Sequence, residues 1–448
     1  MIKIQNASEV EDAFFEGKNF EFADKTVSEI LETVRTQKDS ALKEFCLKFD
    51  KICPASFEIP IEEAKQEAEN LQKENPALYE ALRYSRDLAL RFAKKQRECF
   101  TDFEVELEPG LFTGQKNIPI KRAGVYVPAG RFPLVSTVIM TVIPAIASGV
   151  QEIILCTPPK IHPNDSAENT RAFADKKILA AAYICGVSRI FACGGAQSIA
   201  AMAFGTESIP KVDVIVGPGN KFVAEAKRLV YGTVGIDMVA GPTEVFIIAD
   251  SSANPEWVAA DLLAQAEHDV VASPILATPD KQLAQKVSEE IQKQLQVLPT
   301  RPIAEQSILN CGRIIITESL EQAAEFANRK APEHLELAIS DSELCEKIAS
   351  LVHNYGSLFI GHSSAEVFGD YAAGLNHTLP TLGSARFTGG LSVRVFLKTV
   401  TTLRTKQAEL GVQKSAKMAG ILGDAEGLCA HAKSARLRLN QEVNNENL

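Results

Sequence analysis

The sequence predicts an α/β protein with two parallel-sheet units, a helical lead-in and a small C-terminal helical tail. Three observations carry this reading. Short β-branched runs alternate with amphipathic helical ones in two successive series, as parallel strands covered by helices on both faces require. Residues 27–97 have a helical rhythm, and apolar strand-like runs stop after Pro380. The chain of 448 residues, 46% hydrophobic and 23% charged, is long enough for two or more cores of ordinary domain size.

The lead-in is clearest in PALYEALRYSRDLALRFAKK, where Leu78, Leu82, Ser85, Leu88, Ala89 and Phe92 fall on one stripe. From Phe103 to Val127 the pattern is extended, FEVELEPGLFTGQKNIPIKRAGVYV, with Pro and Gly marking turns. The first alternating series runs EIILC (152–156), KKILAAAYIC, RIFAC (189–193), a helix after Gln197, VDVIV (212–216) and FVAEAKRLVY. The second starts at Glu244 with EVFIIA and continues through PEWVAADLLAQAEH, PILAT, KQLAQKVSEEIQKQL, RIIIT, ESLEQAAEFANR and GSLFIG. The turns VPAG and AGPT bound the first series, so 125–241 reads as an inserted domain. Residues 27–124 and 242–390 then make the other domain, 1–26 an N-terminal arm, and 391–448 a tail. That tail has little core of its own and needs something to dock on, such as a partner subunit.

Composition narrows the function. Fifty-seven acids against forty-seven bases give a net charge of −10 with no dense basic cluster, which disfavours nucleic acid or a membrane surface as partner. The start MIKIQNASEVEDAFFEGKNF lacks the layout of a signal peptide, and no run of eighteen apolar residues occurs; a cytoplasmic location is expected. Nine cysteines, an odd number without a C-x-x-C pair, read as reduced, buried thiols. A small-molecule role follows.

Two glycine turns stand where strands give way to helices. VIVGPGNKFVAEAKR places Gly217-Pro218-Gly219-Asn220 so that free backbone N–H groups can face an anion, although Phe222 replaces the third glycine of G-x-G-x-x-G. Such a turn also serves purely conformational needs. CGGAQSIA repeats the layout, with its helix opening at Gln197, and Tyr126 in GVYVPAG either lines the same cleft or is a buried structural tyrosine. In LLAQAEHDV, Gln265 and His268 share one face of a predicted helix, as two ligands of one ion must, although Q-x-x-H alone more often carries a surface or capping histidine. FGDYAAGLNHTLP adds Asp370 and His377, and EGLCAHAKSARLRL adds Glu426 and His431. Mixed nitrogen and oxygen donors suit Zn²⁺, with Gln an unusual member. APEHLEL sets Glu333 beside His334 in a predicted loop or helix start: either an acid/base couple or a helix-start acid with an incidental neighbour.

Taken together, GVYVPAG, GGAQSIAAMAFGTESIPKVDVIVGPGN, IDMVAGPTEV, DLLAQAEH, APEHLEL, GDYAAGLNHTLPT and EGLCAH resemble histidinol dehydrogenase, in order and over nearly the whole chain. The resemblance implies two incomplete Rossmann-like domains in an intertwined homodimer. It implies Zn²⁺ on Gln265, His268, Asp370 and His431, proton transfer by Glu333 and His334, and NAD contacts at Tyr126, Gln197 and Asn220. Substrate contacts would fall on Thr243, His334, Glu426 and His377 together with the metal ligands, Glu426 and His431 reaching the partner's site. The implied activity is four-electron oxidation of L-histidinol to L-histidine through the aldehyde, the last step of histidine biosynthesis. One segment departs. TGGLS and TVTTLRT are closer to paralogues that oxidise other alcohols, including a sulfonated propanediol, and Arg394 or Arg404 would then meet an anionic group or remain solvated. A catalytically silent NAD- or metal-binding protein is the alternative from another class.

Overall fold

The computed structural model describes residues 1–15, 24–129, 133–166 and 170–439. The expected polar end of the tail, from 440, and Gly130 of the VPAG turn lie outside the described residues. Two compact units emerge: one of residues 1–97 and 120–396, the other of 98–119 and 397–448.

The larger unit contains two six-stranded sheets. In the first, the spatial order is Lys3–Asn6, Arg313–Ile316, Ser273–Thr278, Glu244–Ala249, His334–Ala338, Ser357–Ile360, all parallel. Every residue of EVFIIA is buried, as a central parallel strand between helical layers demands. Phe246 and Ile248 face a core with Leu320 and Phe326, while Val245 and Ile247 face one with Leu262 and Val287. The loop or helix start expected at Glu333-His334 is corrected: His334–Ala338 is a strand, beside Glu244–Ala249. The preceding helix Leu320–Lys330 ends at Ala331, whose φ of 51° turns the chain. Pro332 comes next, which disfavours a right-handed helical residue before it, and Glu333-His334 is thereby delivered to the sheet.

The second sheet runs Glu58–Ile59, Arg189–Ala192, Glu152–Thr157, Arg122–Tyr126, Val214–Val216, Gly235–Ile236, parallel except for its first strand. The lead-in corrects the expected packing. Val27, Ile30, Leu31, Val34, Leu42 and Phe45 share a core with Phe191 and Ile215 of this sheet and with Ile199 of helix Gly195–Phe204, and Glu58–Ile59 pairs with the sheet. Amphipathic periodicity announces a buried face but not the sheet that covers it. The loop after Asp370 joins the two halves of this unit: Asn376 Nδ2 donates to the Met140 carbonyl at 2.7 Å, and the Gly241 N–H donates to Thr381 Oγ1.

The smaller unit is a three-stranded antiparallel sheet, ordered Leu397–Thr405, Leu111–Pro119, Phe103–Glu108, with helices Leu410–Ala425 and Cys429–Arg436 packed together. The tail is thus not wholly helical, since nine of its residues pair with Leu111–Pro119. Leu403, Ile421, Leu422 and Leu437 are exposed. No described helix is long and apolar enough to cross a membrane.

Candidate active site

One strand of the first sheet and two helices place polar side chains in two tiers. Gln265 stands one turn beyond Asp261 on helix Pro255–Ala266, His334 two residues before Glu336 on its strand, and Asp370 one turn beyond Glu366 on helix Glu366–Tyr371. Spacings of four on a helix and two on a strand keep each pair on one face. The first helix starts where sequence rules put it: Asn254 accepts from the Glu256 N–H and Pro255 fills the first position.

The upper tier is connected. Gln265 Nε2 donates to Thr243 Oγ1, whose hydroxyl donates to Glu333 Oε2; that oxygen also accepts from the Glu244 N–H at 3.0 Å. His334 Nδ1 lies 3.2 Å from the Glu244 carbonyl, which it can satisfy as an N–H donor, and 3.8 Å from Glu333 Oε2. Its Nε2 then faces Asp370 Oδ1 at 3.4 Å. Both atoms are buried without a hydrogen-bond partner, an arrangement that suits occupation by a ligand. Burial drives the Glu333 carboxyl up to about 7, against the opposing pull of His334, Thr243 and the Glu244 N–H. Burial alone would lower His334, but Glu333, Asp370 and Glu366 outweigh it and raise the imidazole to about 10. Asp370 stays below its usual range despite burial because His334 lies against it, with His377 and His268 in electrostatic reach. His377 Nε2 is 3.0 Å from Ser136 Oγ.

The lower tier has no counterpart among the residues singled out from the sequence. The Glu366 N–H donates to Glu336 Oε1 at 2.7 Å, and burial raises Glu336 to about 8, Asp261 to about 6 and Glu366 well above the carboxylate range. A carboxyl near 8 in the folded protein and near 4.5 unfolded holds its proton only when folded, so stability is full below about 4.5 and falls as pH rises through 8. Glu336→Gln is expected to flatten the decline of stability between pH 5 and 8, which amounts to as much as about 1.4 kcal/mol per pH unit for one group. Denaturant titrations at several pH values read this; an unchanged slope in the variant counts against it.

At the carboxyl ends of the second sheet's strands, Tyr126 Oη accepts from the Gly195 N–H at 3.3 Å. Gly217 has φ of +114° and its missing Cβ would lie 2.2 Å from the Tyr126 carbonyl, so only glycine fits. Gln197 is buried in helix Gly195–Phe204, and Asn220 caps helix Lys221–Val230 through the Phe222 and Val223 N–H groups. Lys227 and Asp237 form a buried ion pair that grips this turn: Lys227 donates to the Gly217 carbonyl and Asp237 accepts from the Gly217 N–H. Glu426 and His431 belong to the smaller unit, where both are exposed. Arg404 there is bound to Glu104 and lies over Phe112, and Arg394 is exposed.

A shielded carboxylate–imidazole couple at one sheet and glycine turns at the strand ends of another suit an α/β dehydrogenase. Similarity to known proteins narrows the class. A family model described as histidinol dehydrogenase matches residues 16–439. Histidinol dehydrogenase from Aquifex aeolicus is 46% identical over 419 residues, 93% of this chain and 92% of that one. The enzyme from Thermus thermophilus is 45% identical, with 93% and 95% covered. The crystal structure of histidinol dehydrogenase from Elizabethkingia anophelis superposes with a TM-score of 0.89 at 36% identity, covering 99% of each chain. The chain belongs to the histidinol dehydrogenase family, NAD-dependent oxidoreductases that catalyse the last step of histidine biosynthesis.

Proposed function

We propose that the protein oxidises L-histidinol to L-histidine at the Glu333–His334 couple, with NAD⁺ as oxidant and Zn²⁺ as resident metal. The observation that carries this is the unbroken connection Gln265–Thr243–Glu333 beside His334 and Asp370. In the first oxidation His334 takes the alcohol proton as hydride passes to NAD⁺, giving the aldehyde. Glu333, poised near neutrality, then draws a proton from water as it adds to the aldehyde, and hydride from the hydrate reduces a second NAD⁺. The balance is one alcohol, one water and two NAD⁺ to one carboxylate, two NADH and three protons.

The residues fit the metal. Asp370 Oδ1 is buried without a hydrogen bond, and Gln265, His268, Asp370 and His431 are the donors that would hold it. Among the described residues, no three His, Cys, Asp or Glu side chains form a metal cluster; the proposed set includes a Gln and takes His431 from a second copy. When bound, the metal supplies a template for the substrate's imidazole and amino nitrogens. With Asp370 committed to a cation, His334 would lose one of the carboxylates that hold its proton, which would shift the imidazole downward toward the free base that the step needs. Tyr126, Gln197 and Asn220 receive NAD; Thr243, Glu426 and His377 contact the substrate. The exposed apolar groups of the smaller unit support docking against a partner in a homodimer, and the lack of a membrane-crossing helix among the described residues is compatible with a cytoplasmic location.

A paralogue that binds a sulfonated alcohol needs an uncommitted cation at the substrate, and Arg404 is held by Glu104. The test is NADH formation with L-histidinol against a panel of diols and sulfonated propanediols, before and after chelation. Turnover of L-histidinol alone, lost on metal removal and restored by Zn²⁺, is expected. Preference for another alcohol, or full turnover after verified removal of divalent metal, overturns the reading.

A further inference from the structure

The second sheet has its strands in an order in which the chain reverses direction across the sheet between Arg122–Tyr126 and Val214–Val216. In sheets of this order a dinucleotide lies across the carboxyl ends of the strands, and an acid after the second strand hydrogen-bonds the adenosine ribose. Here the second strand is Glu152–Thr157, and Pro158-Pro159-Lys160 come directly after it. The place for the acid is taken by none of these residues.

The lead-in brings a carboxylate to the same sheet. Asp50 ends the turn Cys46–Asp50 of the lead-in. Cys46, at the start of that turn, packs in one core with Tyr126, Cys156 and Cys193, the last directly before the Gly194-Gly195 turn, and burial raises the Asp50 carboxyl to about 6 against the pull of Lys160. The Gly194 turn packs on Pro158, which a Cβ on Gly194 would approach to 2.8 Å, so these groups belong to one crest. Asp50 Oδ2 is shut off from solvent with no hydrogen-bond partner. A buried carboxylate oxygen without a donor is costly, by roughly 1–3 kcal/mol or more for a charged group, unless something else satisfies it. A fold could remove that cost by placing Asn or Thr there.

We propose that Asp50 is a cofactor-binding residue whose carboxylate accepts hydrogen bonds from the adenosine ribose hydroxyls of NAD. The inference rests on the reading that this crest holds the dinucleotide. A carboxylate suits a ribose diol because it accepts from both hydroxyls, and bonds to an ionised acceptor are the stronger kind. It also sets specificity: a 2′-phosphate would bring two negative charges against Asp50, so NAD is favoured over NADP.

The experiment combines Asp50→Asn with nicotinamide 2′-deoxyadenine dinucleotide, a cofactor lacking one ribose hydroxyl, and follows both KM and equilibrium binding. Expected for Asp50→Asn is a KM for NAD raised roughly ten- to hundredfold, with kcat at saturating NAD the lesser change and a narrowed preference against NADP. Wild type should bind the deoxy analogue more weakly than NAD, and the variant should lose most of that difference. If Asp50→Asn binds NAD within about twofold of wild type while Tyr126→Ala is weakened, the role of Asp50 is refuted and the dinucleotide crest stands. If neither substitution affects NAD, both fall. Should Asp50→Asn fail to fold, the wild-type comparison decides, since equal affinity for NAD and its 2′-deoxy analogue overturns the proposal.

Discussion

Glu333→Gln is expected to slow oxidation of L-histidinaldehyde by about 10²- to 10⁴-fold, the usual cost of losing a general base, and to slow the alcohol step far less. The fold should tolerate the change. A Gln carbonyl can accept from Thr243 and from the Glu244 N–H as the carboxylate does. What it cannot do is take a proton from water. Supplying the aldehyde directly and following NADH isolates that step. Because the Glu333 carboxyl sits near 7 and acts deprotonated, the wild-type aldehyde rate should rise with pH through that value, and the variant should lose this limb. Equal losses for alcohol and aldehyde would remove the division of labour between Glu333 and His334.

Mixing two dead variants should restore activity. His334→Ala removes the first base and His431→Ala a metal donor, and each alone is expected to fall by about 10²-fold or more. If each site takes His431 from the other subunit, a mixed dimer has one site lacking both residues and one lacking neither. Random refolding makes half of the dimers mixed, so about a quarter of wild-type activity returns. Sites built within one chain give no rescue, because every chain carries a lesion. Absence of rescue with mixed dimers demonstrated would place His431 in its own chain's site or outside any site.

The sequence is most readable where burial is complete. EVFIIA is a strand because a continuous apolar β-branched run fits only a sheet covered on both faces. HLELA defeats the same rule because His334 and Glu336, on one face of the strand, are polar yet buried. Alternation with Leu335 and Leu337 is the available signal, obscured by the expectation that charged positions are solvated. LKTVTTLRT hides for the opposite reason: it is a strand that is largely exposed, and its Thr and Val content is the only cue. In the site, Glu333, His334, Gln265 and Asp370 are legible as residue types, and Thr243 proves to be the bridge between two of them. The lower acids Asp261, Glu336 and Glu366 are not, because single carboxyls on three separate elements carry no common spacing until the sheet brings them together.

Whether one site performs two successive oxidations on one alcohol is read most directly from the ratio of NADH formed to L-histidinol consumed. With limiting L-histidinol, excess NAD⁺ and the product identified, two NADH and one L-histidine are expected for each L-histidinol. A ratio of one with aldehyde accumulating, or no NADH from L-histidinol at all, is incompatible with the double oxidation.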